Sequence, residues 1–341
     1  MVAAPWARRL GPGMAMIGLA RLSGGNFLVV GRAGMDLYAD PPNTRIEEAT
    51  RFSAALGGSS ANIAVALVRL GLRATLVSSV SDDAVGRFCL KQLDTYGVDT
   101  RHIRTVAGEA RTSLAVVESR AENCQSVIYR NGAADFLMTP QDVELLDYVH
   151  FSGLIVTGTA LATEPSRSAA FRAFEHARAA GLPVVFDVDY RPYSWQSPAE
   201  AAEVCSRAAA MSDVVVGNDM EFGVMAGDHA LGLDHARSLV ASGARIVIYK
   251  MGENGAITFT PTEEFTTGVY ESVMLKPTGA GDSFLGAFVG SLSAGMSVRE
   301  AVLHGSAAAA MVVARIGCAP AMPTRSELDA FMATRVCAGT T

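Results

Sequence analysis

The stretch Lys276-Pro277-Thr278-Gly279-Ala280-Gly281-Asp282-Ser283-Phe284 runs straight into an apolar segment near the C-terminal end of the chain. Two glycines at a loop-to-helix junction let backbone N–H groups come close to an anion, and the helix N-terminus adds the positive end of its dipole. A carboxylate one residue further on would repel a phosphate held there, unless it serves as a base. An anion hole beside a proton acceptor is what phosphoryl transfer to an alcohol requires. The same residues also fit an ordinary helix start, with Asp282 favoured in the first turn by the dipole. Other parts of the chain have to discriminate.

Four more places carry candidate chemistry. Asp36 follows the first apolar strand in Gly31-Arg-Ala-Gly-Met-Asp36, where a carboxylate can accept hydrogen bonds from sugar hydroxyls or simply close a turn. Gly57-Gly58-Ser59-Ser60-Ala61-Asn62 opens an apolar helix. Its glycines would let a polyol lie on bare backbone, Ser59 or Ser60 would cap the helix, and the Asn62 amide suits a vicinal diol. Asn218 and Glu221 stand one helical turn apart on one face, where they could orient a hydrated Mg²⁺ or form a solvated helix start. Arg130 and Arg191 follow polar segments in Tyr129-Arg130 and Asp187-Val-Asp189-Tyr-Arg191. An arginine that reaches a cleft forks onto carboxylate or phosphate; one that does not is a surface residue. No GxxxxGK[ST] loop exists, and Gly31 and Gly34 have the wrong spacing for a dinucleotide fingerprint. Both negatives direct a nucleotide toward Gly279–Gly281.

These residues need an α/β scaffold to position them. Phe27–Gly31, Ala74–Val80, Val149–Ser152, Pro183–Asp187, Asp213–Gly217 and Arg245–Lys250 read as short buried strands. Between them, Ala61–Leu70, Ala84–Tyr96, Ser166–Ala180, Pro198–Ala210 and Leu233–Ser242 read as helices. The alternation predicts a mostly parallel sheet covered on both faces, with ligands beyond the carboxyl ends of the strands. Leu37–Leu56 and Thr112–Tyr129 are more polar and partly alternating, which predicts half-exposed antiparallel strands forming a small second sheet.

The ordered set of Asp after strand one, GG…N, D-x-D-x-R, N-x-x-E and GAGD resembles the ribokinase (PfkB) carbohydrate kinases, from about residue 27 to 333. The resemblance implies a kinase domain over 26–36, 57–111 and 131–335, a β-sheet lid over 37–56 and 112–130, and ATP and Mg²⁺ as cofactors. It implies Asp282 as catalytic base, with Gly279, Ala280 and Gly281 as anion hole. Asp36, Gly57, Gly58 and Asn62 match substrate-holding positions, and Asn218 and Glu221 match the magnesium and phosphate motif. Lys250, Gly252 and Gly255 match the nucleotide loop, and Ser306 falls near the adenine. Several stretches, among them Gly31–Tyr38, Tyr129–Asp135 and Asp187–Pro192, are most similar to members that phosphorylate 5-dehydro-2-deoxygluconate in inositol catabolism. That acid would place its carboxylate toward Arg130 and Arg191. A 2-keto-3-deoxygluconate kinase has the same charge layout; a ribokinase or fructokinase activity and an inactive sugar-binding regulator are further alternatives. Many members carry an acidic residue where this chain has Lys276, at a site linked to activation by a monovalent cation, which predicts indifference to K⁺.

Composition sets outer limits. Half of the 341 residues are hydrophobic and 18% are charged, which excludes a disordered chain. A net charge of −6 argues against nucleic acid as the main partner. The five cysteines form no CxxC pair, so a zinc site or disulfide framework is not expected and a reducing cytoplasm fits. No run approaches the length of a membrane span. Residues 1–25 read as a loose extension with Met14 and Met16 as alternative starts, and the edge of the small sheet suggests a homodimer.

Overall fold

The computed structural model describes residues 19–339. Its strands, in chain order, are β1 Asn26–Val30, β2 Gly34–Asp40, β3 Arg51–Gly57, β4 Arg73–Ser81, β5 Ile103–Val106, β6 Ser113–Val117, β7 Ser126–Tyr129 and β8 Gly153–Thr157. They continue with β9 Val184–Asp187, β10 Val214–Asn218, β11 Ile246–Lys250, β12 Ala256–Phe259, β13 Glu264–Thr267, β14 Val269–Tyr270 and β15 Cys337–Ala338. Nine of them form one sheet in the order β13-β12-β11-β10-β9-β8-β1-β4-β5. The strands from β11 to β5 pair in parallel, and β12 and β13 close one edge antiparallel.

Successive residues of a strand point to opposite faces, and here both faces are covered. In β1, Phe27 and Val29 join one core and Leu28 and Val30 the other. The first core is roofed by the helices Ser59–Arg69, Ala280–Ser293 and Val298–Val313, and the second by Ser166–Ala179, Pro198–Ala210 and Gly232–Ala241. This is the ribokinase-like α/β architecture that the alternation and the resemblance predict.

The second sheet has the order β3-β2-β6-β7. It is not wholly antiparallel: two hairpins, β2–β3 and β6–β7, join side by side through parallel pairing of β2 with β6. It also starts earlier than expected, at Gly34, so Asp36 lies within the small sheet rather than at the end of the large one. The outer edges β3 and β7 have no further strand beside them within the described residues, and Phe52, Val127 and Tyr129 on them are exposed.

Other boundaries also shift. Val149–Ser152 is not a strand: Tyr148–His150 forms a 3-10 turn with Val149 exposed, and the buried run starts at Gly153. Leu19 and Leu22 pack into the first core, and Arg21 donates from Nη1 to Ala180 O at 2.6 Å and from Nη2 to Val149 O at 2.8 Å. Residues 19–25 therefore belong to the domain, because two leucines one turn apart find an apolar site. Residues 1–18, with Met14 and Met16, lie outside the described residues. At the other end β15 pairs with β14, which carries the domain past residue 335.

Candidate active site

Gly279 is the N-cap of the helix Ala280–Ser293, with φ 84° and no side chain to cap the first turn. A left-handed cap of this kind favours glycine, and a Cβ on Gly279 would lie 2.9 Å from Cys318 Sγ. The first helical bond is Ser283 N to Gly279 O at 3.0 Å. The amides of Ala280, Gly281 and Asp282 are thus the unpaired donors of the helix start, free to meet an anion. Lys250 Nζ lies 3.4 Å from where a Cβ on Gly281 would be, so a cation stands beside the same amides.

Asp282 accepts a hydrogen bond from Asn62 Nδ2 at 2.8 Å. The two residues sit in the first turns of two neighbouring helices, which places the Asn62 amide N–H on this carboxylate. Asn62 Oδ1 is buried and has no partner, which leaves its acceptor end for a ligand hydroxyl. Burial first, and the charge of Asp189 second, push the Asp282 carboxyl up to about 6, opposed by the Asn62 bond, Arg191 and Arg32. A carboxyl titrating there is a competent base near neutral pH.

More acid surrounds this group. Asp187 ends β9, and Asp189 follows in the left-handed region at φ 35°. Burial raises both the Asp187 and the Glu221 carboxyls, with Lys250 the largest opposing influence on each. The Lys250 Nζ to Asp187 Oδ1 distance is 4.0 Å. Asn218 and Glu221 form a capping box: Glu221 N donates to Asn218 Oδ1 at 2.9 Å and Asn218 N to Glu221 Oε2 at 2.7 Å. Tyr190 N donates to the other Glu221 oxygen at 3.1 Å. Both carboxylate oxygens of Glu221 therefore already accept backbone N–H groups, and this buried box replaces the solvated helix start.

The residues expected on the substrate side lie at or beside the small sheet. Asp36 accepts from Tyr38 Oη at 3.1 Å, and Tyr38 Oη also meets Cys318 Sγ at 3.0 Å. Burial raises the Asp36 carboxyl, with Arg32 the largest opposing influence. Gly57 stands against it, since a Cβ there would come within 2.0 Å of Asp36 Oδ1. Gly58, not Ser59 or Ser60, is the helix N-cap; the serine hydroxyls bond instead to Thr159, Thr157 and Val30 O.

Both predicted arginines are already paired. Arg130 is buried, with Nε and Nη2 on Asp135 Oδ2, Nη2 also on Thr159 O at 2.9 Å, and the guanidinium 4.0 Å over the Phe136 ring. Its Nη1 is buried with no partner. Arg191 Nη2 is 2.7 Å from Asp189 Oδ1. Sequence reasoning passed over Arg32, which is only 8% exposed and donates to Ser113 Oγ at 3.0 Å; a lone loop arginine next to glycine gives no signal of burial. Lys276 is fully buried, and its Nζ donates to Thr278 O. Farther along, Gly252 and Gly255 make the turn between β11 and β12, and Ser306 Oγ donates to Gly268 O at 3.1 Å. The described residues hold no group of three or more His, Cys, Asp or Glu arranged around a metal position.

The sequence matches the pfkB family carbohydrate kinases over residues 26–325. The chain belongs to that family. This PfkB kinase is 39% identical over 313 residues to the 5-dehydro-2-deoxygluconokinase of Photobacterium profundum, spanning 90% of this chain and 95% of that relative. It is 37% identical over 313 residues to the 5-dehydro-2-deoxygluconokinase of Geobacillus kaustophilus, spanning 90% and 93%. Among solved structures, it superposes with a TM-score of 0.80 on a fructokinase double mutant from Vibrio cholerae O395 bound to fructose, ADP and potassium ion. That match is 27% identical and covers 90% of this chain and 98% of the other. Aminoimidazole riboside kinase from Salmonella enterica, complexed with aminoimidazole riboside and an ATP analog, gives a TM-score of 0.76 at 25% identity, covering 91% and 100%.

The raised Asp282 carboxyl has a pH consequence. It is protonated, and useless as a base, below its pKa, so kcat/KM rises with pH through about 6. Asp189→Asn removes a raising charge and should move that acid limb to lower pH. A pH–rate profile of the two proteins tests this; an unmoved or upward-moved limb contradicts it.

Proposed function

We propose that this PfkB kinase transfers the γ-phosphoryl group of ATP to the primary C6 hydroxyl of 5-dehydro-2-deoxy-D-gluconate. The observation that carries the transfer is Asp282 placed beside three unpaired helix-start amides and the Lys250 ammonium. The substrate rests on the relatives named above and on buried arginines in the sugar cleft.

In this reading the C6 oxygen attacks phosphorus in line while its proton passes to the Asp282 carboxylate. A new O–P bond forms, the bond from phosphorus to the β-bridging oxygen breaks, and ADP departs with the electron pair. The amides of Ala280, Gly281 and Asp282 face the charge that develops on the transferring group. Asn62 orients the carboxylate, and Asp36 with the bare backbone at Gly57 and Gly58 holds the sugar hydroxyls. The β11–β12 turn and Ser306 line the nucleotide side. Closure of the small sheet would exclude water from the transfer. Magnesium, when bound, would supply positive charge against the phosphates, with Glu221 and Asn218 as the residues that would hold it. The donor set fits a hydrated ion reached through water by Glu221, since both carboxylate oxygens are occupied by amides.

2-Keto-3-deoxygluconate is the second reading, because it also carries a carboxylate opposite the accepting hydroxyl. An ATP-coupled screen of the two acids with ribose and fructose separates these, and highest kcat/KM on a neutral sugar would overturn the sugar-acid assignment. Asp282→Asn should lower kcat by at least about 10², whereas near-normal turnover would remove the base. Lys276 puts an ammonium at the loop before Gly279, so adding K⁺ to a K⁺-free, Na⁺-free assay should leave the rate unchanged; a several-fold rise would refute this. The proposal includes a homodimer through the exposed edges of the small sheet, for which sedimentation should give twice the chain mass and a Phe52→Asp variant should weaken it.

A further inference from the structure

Arg32 is a charged group without a countercharge. Its guanidinium is almost fully buried, its one side-chain hydrogen bond goes to a neutral hydroxyl, Ser113 Oγ, and no carboxylate among the described residues forms an ion pair with it. The other cations of the cleft differ: Arg130 sits on Asp135, Arg191 on Asp189 and Lys250 near Asp187. A buried guanidinium that lacks a partner costs stability unless the site is completed by an anion.

The sheet register brings a second unsatisfied donor to the same place. Gly34, two residues after Arg32, pairs with Ser113 on β6, and Leu114 pairs with Tyr129 on β7, one residue before Arg130. Arg130 Nη1 is buried and unpartnered. Asp135 balances only one of these two charges, and Arg32 is near enough to disfavour the charged form of Arg130. Arg32 is also within electrostatic reach of Asp36 and Asp282 without pairing to either. Two buried guanidinium groups on neighbouring strands of the small sheet thus keep donor capacity that the described side chains do not use, within electrostatic range of Asp282.

We infer that Arg32 determines specificity for acid over neutral sugars by forking onto the substrate carboxylate, with Arg130 Nη1 as the second donor. The inference rests on the sugar-acid reading above and sharpens it: the paired Arg191 is not the carboxylate's main partner. Arg32 acts in binding, with no part in moving the proton.

The test compares wild type, Arg32→Gln and Arg32→Lys, each checked by thermal melting, on 5-dehydro-2-deoxy-D-gluconate and on fructose, with steady-state kinetics and with calorimetric binding of the acid in the absence of ATP. Loss of a charged hydrogen-bond fork should raise the KM and Kd for the acid roughly ten- to hundredfold. The loss should fall in KM rather than kcat, with Arg32→Lys between wild type and Arg32→Gln, and the ratio of acid to fructose kcat/KM should fall by the same factor. An unchanged KM for the acid, or a loss confined to kcat, overturns the assignment while the sugar-acid reading stands. A wild type that neither binds nor phosphorylates the acid yet phosphorylates fructose overturns both.

Discussion

Crowding of carboxylates at the ends of the central strands is the constraint around which the site is built. Asp187, Asp189 and Glu221 are buried around Asp282, and a single lysine, Lys250, is the main cation opposing the rise of Asp187 and Glu221. Burial first, and the neighbouring negative charge of Asp189 after it, raise the Asp187, Glu221 and Asp282 carboxyls. The fold relieves this with neutral donors: two backbone N–H groups on Glu221 and the Asn62 amide on Asp282. The result is a carboxyl raised to about 6 without a histidine. A bare polyphosphate entering such a cleft meets repulsion, and the helix-start amides and Lys250 are what the chain sets against it.

The glycine-rich helix start was legible because its signal is local. Gly279, Ala280, Gly281 and Asp282 sit within four residues, and glycine at a helix start has a conformational reason to be there. The strand and helix alternation was legible for the same reason: the short apolar runs of β1, β4, β9, β10 and β11 stand where expected, and the helix Pro198–Ala210 matches residue for residue. The contacts that the sequence left unread are those that only the folded chain brings together. Asn62 stood out as an amide in an apolar helix, yet its partner Asp282 lies 220 positions away. Arg130 looked like a free cation, and Asp135, five residues on, accounts for most of its bonds. Arg32 gave no signal at all, since burial of a loop arginine depends on a sheet that forms from two separate hairpins.

The bond from Tyr38 to Cys318 couples two parts of the cleft that chemistry would otherwise treat separately. Tyr38 stands on the same strand as Asp36, and Cys318 fills the space beside Gly279, the N-cap of the helix that carries Asp282. The sulfur stands between them, touching the small sheet at Tyr38 and leaving no room for a side chain at Gly279. One thiol is therefore a shared wall of two elements, so a change of its volume would be felt both on the strand of Asp36 and at the start of the helix Ala280–Ser293.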